Sequence, residues 1–361
     1  MKILHIHPSM NGGGIESMIC SLANAMSKTD DVSVCSIFAP NEGAVFWHKL
    51  SPSVKKFDLG KTAPGFSVKE IFKIYNFIRR GNFDVVHIHG FFYYYAFSVF
   101  LLHRRVKFVY TIHSDAVKES SGWDHKFLPI KKFAFRKGYI KPVTISKESK
   151  RSFTALYNVD STLIYNGIAP YERKATIDTV ADYRITPQTK VFIHPGRISE
   201  AKNQVVLCKA FKILIDAGKD VVLLIAGSRQ DEAIWEKLQP FWSDRIIYLG
   251  ERKDVRDMLH DADAFCLPSI WEGMPVTLLE AISVGCVPIC SPVGGIPEVI
   301  TNGVDGFLST DSSAEAYVQA LTNYLNCENL EQVKANCEET FKEFQISKVA
   351  LQYLSVYKEN L

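Results

Sequence analysis

Short apolar runs alternate with longer segments of helical period along almost the whole chain, and this alternation constrains the fold more than any other feature. The runs include KILHIHP, VSVCSIF, FDVVHIH, KFVYTIH, KVFIHPG, VVLLIAG, AFCLPS and VPICS. Strands that are apolar throughout are buried on both faces, which is typical of parallel sheets covered by helices. The sequence therefore predicts a doubly wound α/β fold.

The alternation is interrupted between Ala169 and Lys190, where the segment APYERKATIDTVADYRITPQTK is polar. A chain of 361 residues is also about twice the length of one ordinary domain. We therefore expect two Rossmann-like domains, at residues 1–168 and 169–340, facing a cleft. The stretch of about 341–361 has the spacing of an amphipathic helix and is a candidate for packing back on the first domain.

Charge is divided unevenly between the two halves. Residues 1–165 carry 23 basic and 12 acidic side chains, a balance of +11, whereas residues 166–361 carry 19 and 27, a balance of −8. A basic half suggests an anionic partner, either nucleic acid or the inner leaflet of a membrane, although a solvated surface with accidental asymmetry is the alternative. Two basic clusters lack the interleaved aromatics of a base-stacking platform, so we expect no nucleic-acid partner. They are Lys131, Lys132, Arg136 and Lys137, and Lys147, Lys150 and Arg151.

No apolar run reaches the ~18–20 residues that cross a bilayer. The longest, Phe91 to Leu102, is predicted to begin a helix that is either core or partly exposed beside the basic clusters. The N-terminus MKILHIHPSM is too short in apolar residues for a secretory signal, and the eight scattered cysteines include no CxxC pair. We expect reduced cysteines and a cytoplasmic protein, peripheral on the inner face of the cell membrane.

Ligands of open parallel sheets bind beyond the carboxyl ends of the strands, so the residues there are candidate site residues. After the first strand, the glycines of NGGGIES precede a helix whose first amides are free to bind phosphate, although a tight connection explains such glycines equally well. NAD is disfavoured because the third glycine position of GxGxxG falls on Ser17 and no acid follows the second strand.

The second domain presents two charged groups of residues in its loops. Arg197 and Lys202 lie five residues apart after a strand, where they are either a pyrophosphate clamp or a solvated pair. Glu272 and Glu280 lie eight apart, with a helix predicted from Thr277 to Val284 and Glu280 near its start. Carboxylates flanking an anion-binding centre suit a ligand with hydroxyls at both ends and negative charge in the middle, such as a nucleotide sugar.

The motifs GGGIES, TIHS, GRISEAKN and EGMPVTLLE occur in this order, and together they resemble a family 4 glycosyltransferase of the GT-B fold, of the retaining type that builds bacterial surface polysaccharides. The resemblance implies that the second domain holds a nucleotide-sugar donor and the first an acceptor. Arg197 and Lys202 would bind the donor diphosphate, and Gly13 and Gly14 would add main-chain contacts. Glu280 would bind the ribose hydroxyls.

Glu272 would bind the donor sugar, and His113 matches the family histidine near the reacting carbon. The sugar pocket would be lined by Gly273, Met274, Pro275 and Val276. The residues expected to take part in catalysis are His113, Glu272, Arg197 and Lys202. Ser114 separates His113 from Asp115, whereas family members often place an acid directly after the histidine, so the role of Asp115 is open.

The resemblance implies transfer of a hexose, with a UDP-sugar favoured, to a glycan or lipid-linked glycan, with retention and without metal or other cofactor. Two patterns resemble metal sites, but each has a simpler explanation. Asp261 and Asp263 form a DxD but more simply end a helix and start a strand, and the pairs His5/His7 and His87/His89 lack an acidic or cysteine ligand for zinc. The alternative functions are a sugar-nucleotide epimerase of the same fold and a catalytically silent partner subunit.

Overall fold

The computed structural model describes residues 1–40, 45–63, 65–173 and 175–359. The chain separates into two compact units, one formed by Met1–Ala169 with Phe344–Leu361 and the other by Pro170–Glu343. The predicted linker and terminal helix include residues 174, 360 and 361, which lie outside the described residues.

The first unit contains a seven-stranded sheet whose paired strands all run parallel. Its central strands are buried on both faces, which explains why they read as unbroken apolar runs. The order is β3-β2-β1-β4-β5-β6-β7. The strands are β1 (Lys2–His7), β2 (Asp31–Phe38), β3 (Lys55–Lys61), β4 (Val85–Ile88), β5 (Lys107–Ile112), β6 (Ile140–Thr144) and β7 (Thr162–Leu163).

Helices surround this sheet, and most of them bury apolar side chains, as amphipathic helices on a sheet do. They are α1 (Gly14–Met26), α2 (Val45–Lys49), α3 (Val68–Gly81), α4 (Phe92–Leu102), α5 (Ala116–Glu119), α6 (Trp123–Lys126), α7 (Leu128–Arg136) and α8 (Lys147–Tyr157). Most of α4 is buried, but Phe97 and Leu101 are exposed, so both alternatives for this apolar segment hold in part.

The second unit repeats the architecture with a six-stranded parallel sheet of order β10-β9-β8-β11-β12-β13. Its strands are β8 (Lys190–Pro195), β9 (Val221–Ala226), β10 (Ile246–Gly250), β11 (Ala264–Leu267), β12 (Val287–Cys290) and β13 (Phe307–Leu308). Its helices are α9 (Gln204–Asp216), α10 (Glu232–Leu238), α11 (Val255–Asp261), α12 (Val276–Ile282), α13 (Ile296–Val299), α14 (Ala314–Leu325) and α15 (Leu330–Phe341).

A last helix, α16 (Ile346–Lys358), returns to the first unit. It packs on α1, and the hydroxyl of its Tyr357 lies 2.6 Å from Nδ1 of His87 in β4. The chain thus closes its first unit with its last element.

The strand order reverses between β1 and β4 in the first unit and between β8 and β11 in the second. Such a reversal opens a crevice at the carboxyl ends of the two neighbouring strands, where ligands of this fold class bind. All eight cysteines lie in the described residues and are free thiols. Among the described residues, no helix is long and apolar enough to span a membrane.

Candidate active site

The loop that carries Arg197 is held by a buried histidine and glutamine. His194, in β8, has Nδ1 2.8 Å from the carbonyl of Cys266, and this carbonyl can only accept, so Nδ1 carries the proton. Nε2 then accepts from the Gln204 side-chain amide at 3.1 Å, and the same amide nitrogen donates to the Arg197 carbonyl at 2.8 Å. Burial lowers the pKa of His194 to about 4, which keeps the ring neutral. Gln204 therefore fixes the main chain at Arg197, a role that its place in the motif alone does not reveal.

A glycine at the end of β9 lets two loops approach each other at this point. A Cβ on Gly227 would lie 2.1 Å from the carbonyl oxygen of Gly196, and its φ of +155° also disfavours a side chain. No larger residue fits without moving the segment that leads to Arg197.

Lys202 and Glu272 form an ion pair, although 70 residues separate them in sequence. Lys202 Nζ lies 2.5 Å from Glu272 Oε1, and the Ser269 hydroxyl donates to the same oxygen at 2.6 Å. The side chains are only 20% and 11% exposed. Because β8 and β11 are neighbours, the loops that follow them meet at the carboxyl edge of the sheet. The residues predicted to bind diphosphate and sugar separately are therefore in direct contact.

The Glu272 loop is held from the other side by the loop after β12. Gly294 has a φ of +60°, and a Cβ on it would lie 2.2 Å from the Glu272 carbonyl oxygen. Gly295 donates its N–H to the Gly273 carbonyl at 2.7 Å. These two glycines fix the main chain of the Glu272 loop, and the pair of consecutive glycines in SPVGGIPEVI is the sequence signal that could have identified them.

The prediction that Glu280 lies near the start of its helix is wrong. Pro275 precedes α12, so the helix starts at Val276 and Glu280 is its fifth residue of seven. Its carboxylate interacts electrostatically with the Arg256 guanidinium, which stacks on Tyr171. Glu272 is followed by Gly273, Met274, Pro275 and Val276, of which the last three are buried and Val276 is the first residue of α12. Their contact with a donor stays a prediction.

In the first unit, His113 ends a row of hydrogen-bonded imidazoles. Its Nε2 lies 3.0 Å from Nδ1 of His89, and Nε2 of His89 lies 3.3 Å from Nδ1 of His5. The two histidine pairs predicted from sequence, His5/His7 and His87/His89, lie next to each other. This is because β1 and β4 are adjacent, with His5 opposite His87. Burial lowers the pKa of both His5 and His113 to about 3, so these rings are neutral near pH 7.

His5, His87 and His89 bring one ring nitrogen each within 4.8 Å of the others, which would suit a metal ion by distance. However, both nitrogens of His87 are engaged, with Tyr357 at 2.6 Å and Thr111 at 2.7 Å, and both nitrogens of His89 contact other histidines. This bonding favours packed histidines over metal ligands.

The DxD acids have structural partners. Asp261 pairs with Arg173 and accepts from Thr179, and Asp263 pairs with Arg184 at 2.6 Å and Lys190 at 2.9 Å. These ion pairs join the end of α11 and the start of β11 to β8 and the segment before it, as expected from the simpler interpretation.

Two further loops of the first unit carry residues discussed in the sequence analysis, Gly13 and Asp115. Gly13 precedes α1, and a Cβ on it would lie 2.6 Å from the Glu16 carboxylate, so the expected main-chain contacts of Gly13 and Gly14 would form beside an acid. Asp115 accepts from the N–H groups of Val117 and Lys118 and thereby caps α5, which assigns it a structural role.

Comparisons with known proteins agree with this architecture. The model of the "Glycosyltransferase Family 4" domain matches residues 12–171, and the model of "Glycosyl transferases group 1" matches residues 178–341. A UDP-Gal:α-D-GlcNAc-diphosphoundecaprenol α-1,3-galactosyltransferase of Escherichia coli is 32% identical over 154 residues, which span 41% of this chain and 39% of that enzyme. The N-acetyl-α-D-glucosaminyl L-malate synthase of Bacillus anthracis is 24% identical over 88% of this chain and 84% of that enzyme.

Solved structures share the fold over almost the full length. Anabaena HepE in complex with UDP and glucose has a TM-score of 0.80 at 18% identity, with 99% of each chain covered. The sucrose-phosphate synthase of Thermosynechococcus elongatus has a TM-score of 0.81 at 17% identity, with 99% of this chain and 98% of that chain covered. With two successive family domains between residues 12 and 341, the chain belongs to the family 4 glycosyltransferases of the GT-B fold.

Proposed function

We propose that this glycosyltransferase is a retaining, metal-independent hexosyltransferase that moves a hexose from a UDP-sugar to a lipid-linked glycan. The observation that carries the proposal is the contact of Lys202, Glu272 and Ser269 at the carboxyl edge of the second sheet. A cation beside a carboxylate supports the proposal, because a sugar diphosphate carries negative charge next to hydroxyl groups. The named substrates of the Escherichia coli relative, UDP-galactose and a diphosphoundecaprenol-linked sugar, support the donor and acceptor classes.

In this proposal Arg197 and Lys202 neutralise the diphosphate as negative charge develops on it, which removes the need for a metal. The bond between the anomeric carbon and the phosphate oxygen breaks, and the acceptor oxygen bonds to that carbon on the same face. The acceptor proton passes to the departing phosphate. Glu272 orients the sugar and Glu280 the ribose, while neutral His113 contributes a hydrogen bond near the reacting carbon.

Donor turnover tests this reaction directly. The protein is incubated with UDP-glucose, UDP-galactose and their N-acetyl forms, with and without a polyprenyl diphosphate sugar and with and without EDTA. We expect slow release of UDP, faster release with acceptor, an α-linked product by NMR, and no loss with EDTA. An inverted product or a requirement for metal contradicts the mechanism, and an epimerised UDP-sugar contradicts transfer itself.

We further propose that the first unit binds an anionic bilayer that carries the acceptor. Helices α3, α4 and α7 lie side by side and expose apolar side chains, with Leu101 54% exposed and the rings of Phe72 and Phe97 in contact. Half-buried Lys132 and exposed Arg136 and Lys137 lie along α7 or just after it. The charge of +11 on residues 1–165 makes an anionic lipid surface the complementary partner.

One member of the predicted basic cluster does not belong to this surface. Lys131 is only 1% exposed, because it shares the inner face of α7 with Ala134 and Phe135 at helical spacing. The prediction that it contacts a membrane is therefore wrong, and only its three neighbours remain candidates.

Vesicle flotation tests the membrane proposal. Binding to vesicles with anionic lipid at low salt should be lost when Lys132, Arg136 and Lys137 are all changed to Ser, and weakened by Leu101→Ser. Ile213→Ser is the matched control, since Ile213 is an exposed isoleucine on α9 of the second unit. Equal binding to neutral and anionic vesicles, or none to either, would leave a soluble glycan as the better acceptor.

A further inference from the structure

A cluster of charged side chains, two of them buried, lies next to His113, and the proposed reaction does not use it. Lys131 Nζ donates to the Tyr110 hydroxyl at 3.2 Å and lies 4.0 Å from the Asp124 carboxylate. The Tyr110 hydroxyl in turn donates to Glu119 Oε1 at 2.9 Å. Burial raises the pKa of Glu119, and the Lys131 charge opposes that rise.

The carboxylates of Glu119 and Asp124 both accept main-chain N–H groups close to a histidine. Glu119 Oε2 accepts the N–H of His113 at 2.9 Å, just beyond the last residue of β5. Asp124 accepts the N–H groups of Phe92 and Tyr93 at 3.2 and 3.0 Å, at the start of α4. That helix begins three residues after His89, whose ring contacts His113.

Stability alone does not explain this arrangement. Buried ion pairs are expensive to desolvate, and replacing them with apolar residues of similar volume is often neutral or stabilising. The amides at the start of α4 already compensate the Asp124 charge. Lys131 thus serves both carboxylates, as an ion pair with Asp124 and through the Tyr110 hydroxyl to Glu119.

We infer that Glu119 is a positioning residue that holds the main chain of His113 in place, and that the Tyr110 hydroxyl, which Lys131 contacts, orients the Glu119 carboxylate. The inference rests on the proposed role of His113 near the reacting carbon. Glu119 touches neither donor nor acceptor. Its effect reaches the reaction only through the placement of His113.

The test compares Glu119→Leu with Glu119→Gln in donor turnover. Leucine removes the acceptor of the His113 N–H, whereas glutamine keeps a carbonyl oxygen for it and presents an amide to the Tyr110 hydroxyl. A displacement of about 1 Å can cost about 10²-fold in rate, so we expect kcat of Glu119→Leu to fall by that order. KM for the nucleotide sugar should change little, and Glu119→Gln should retain most of the activity.

Asp84→Ala is the matched control. Its carboxylate also accepts a main-chain N–H, that of Lys2 at 2.7 Å, but at the amino end of the same sheet. We expect this control to lower the unfolding temperature and leave kcat unchanged. If Glu119→Leu also loses only stability and keeps its kcat, the inference is overturned.

If Glu119→Leu does not fold, Tyr110→Phe supplies the measurement, since it removes only the hydroxyl that links Lys131 to Glu119. A lowered kcat supports the inference, and an unchanged kcat overturns it. The ¹⁵N resonances of the His113 ring give a readout independent of turnover. They should shift in Glu119→Leu, or in Tyr110→Phe in its place, but not in Asp84→Ala, and an unshifted spectrum contradicts the inference. A wild-type protein inactive on every UDP-sugar refutes the proposed function instead, and the histidine spectrum still decides the role of Glu119.

Discussion

The contact of Lys202 with Glu272 predicts that Glu272→Gln has opposite effects on UDP binding and on transfer. Without a ligand, Glu272 partly neutralises the ammonium that is proposed to bind the diphosphate, at an Nζ to Oε1 distance of 2.5 Å. Glutamine keeps the shape and an acceptor oxygen but removes the charge. A hydrogen bond to a charged partner stabilises by about 1.5–3 kcal/mol and a neutral one by about 0.5–1.5. The substitution therefore weakens the interaction that holds Lys202 by about 1 kcal/mol. If that energy becomes available to the diphosphate, UDP binds about fivefold more tightly.

Isothermal titration with UDP and initial rates of donor turnover measure the two effects on the same preparations. We expect Kd for UDP to fall about fivefold, while transfer falls by about 10²-fold because the sugar loses its charged partner. Glu339→Gln is the control, since it removes one exposed negative charge from the same unit without contacting Lys202. Weaker UDP binding by Glu272→Gln, or unaltered transfer, would refute the reasoning.

Three further outcomes are expected. Lys202→Ala should lower turnover by at least about 10²-fold, and a loss of only a few-fold would argue against a role in charge stabilisation. It should also lower the free energy of unfolding in urea, because Glu272 stays mostly buried without its cation. Gly294→Ala should lower the unfolding temperature and slow transfer, because its Cβ would meet the Glu272 carbonyl oxygen at 2.2 Å, and wild-type values for both would contradict that packing. The free energy of unfolding should fall as the pH drops below about 6.5, because His5 and His113 have pKa values of about 3 when folded and an ordinary value of 6.5, so the unfolded chain takes up more protons between those values. Urea unfolding at pH 7, 6 and 5 measures this slope, and His5→Leu should make it shallower.

The local pattern of apolar residues was sufficient to predict the fold class. Parallel strands buried on both faces must be apolar along their length, and runs such as VVLLIAG show this without any knowledge of their neighbours. The motif residues Arg197, Lys202 and Glu272 could likewise be placed in loops after strands, because each loop comes after an apolar run. The inner face of α7 could also have been predicted from sequence, since Lys131, Ala134 and Phe135 follow helical spacing.

Strand order was decided only by the tertiary structure, and most of the candidate site depends on it. The Lys202–Glu272 pair exists because β11 lies beside β8, and the histidine row exists because β4 lies between β1 and β5. No local pattern encodes which strands are neighbours, since sheet order follows from how all the helices and strands bury their apolar faces together. The same cooperative packing buries Lys131 and brings Glu119 to the main chain of His113. Spacing along the chain therefore identified individual site residues, whereas only packing determined which of them touch.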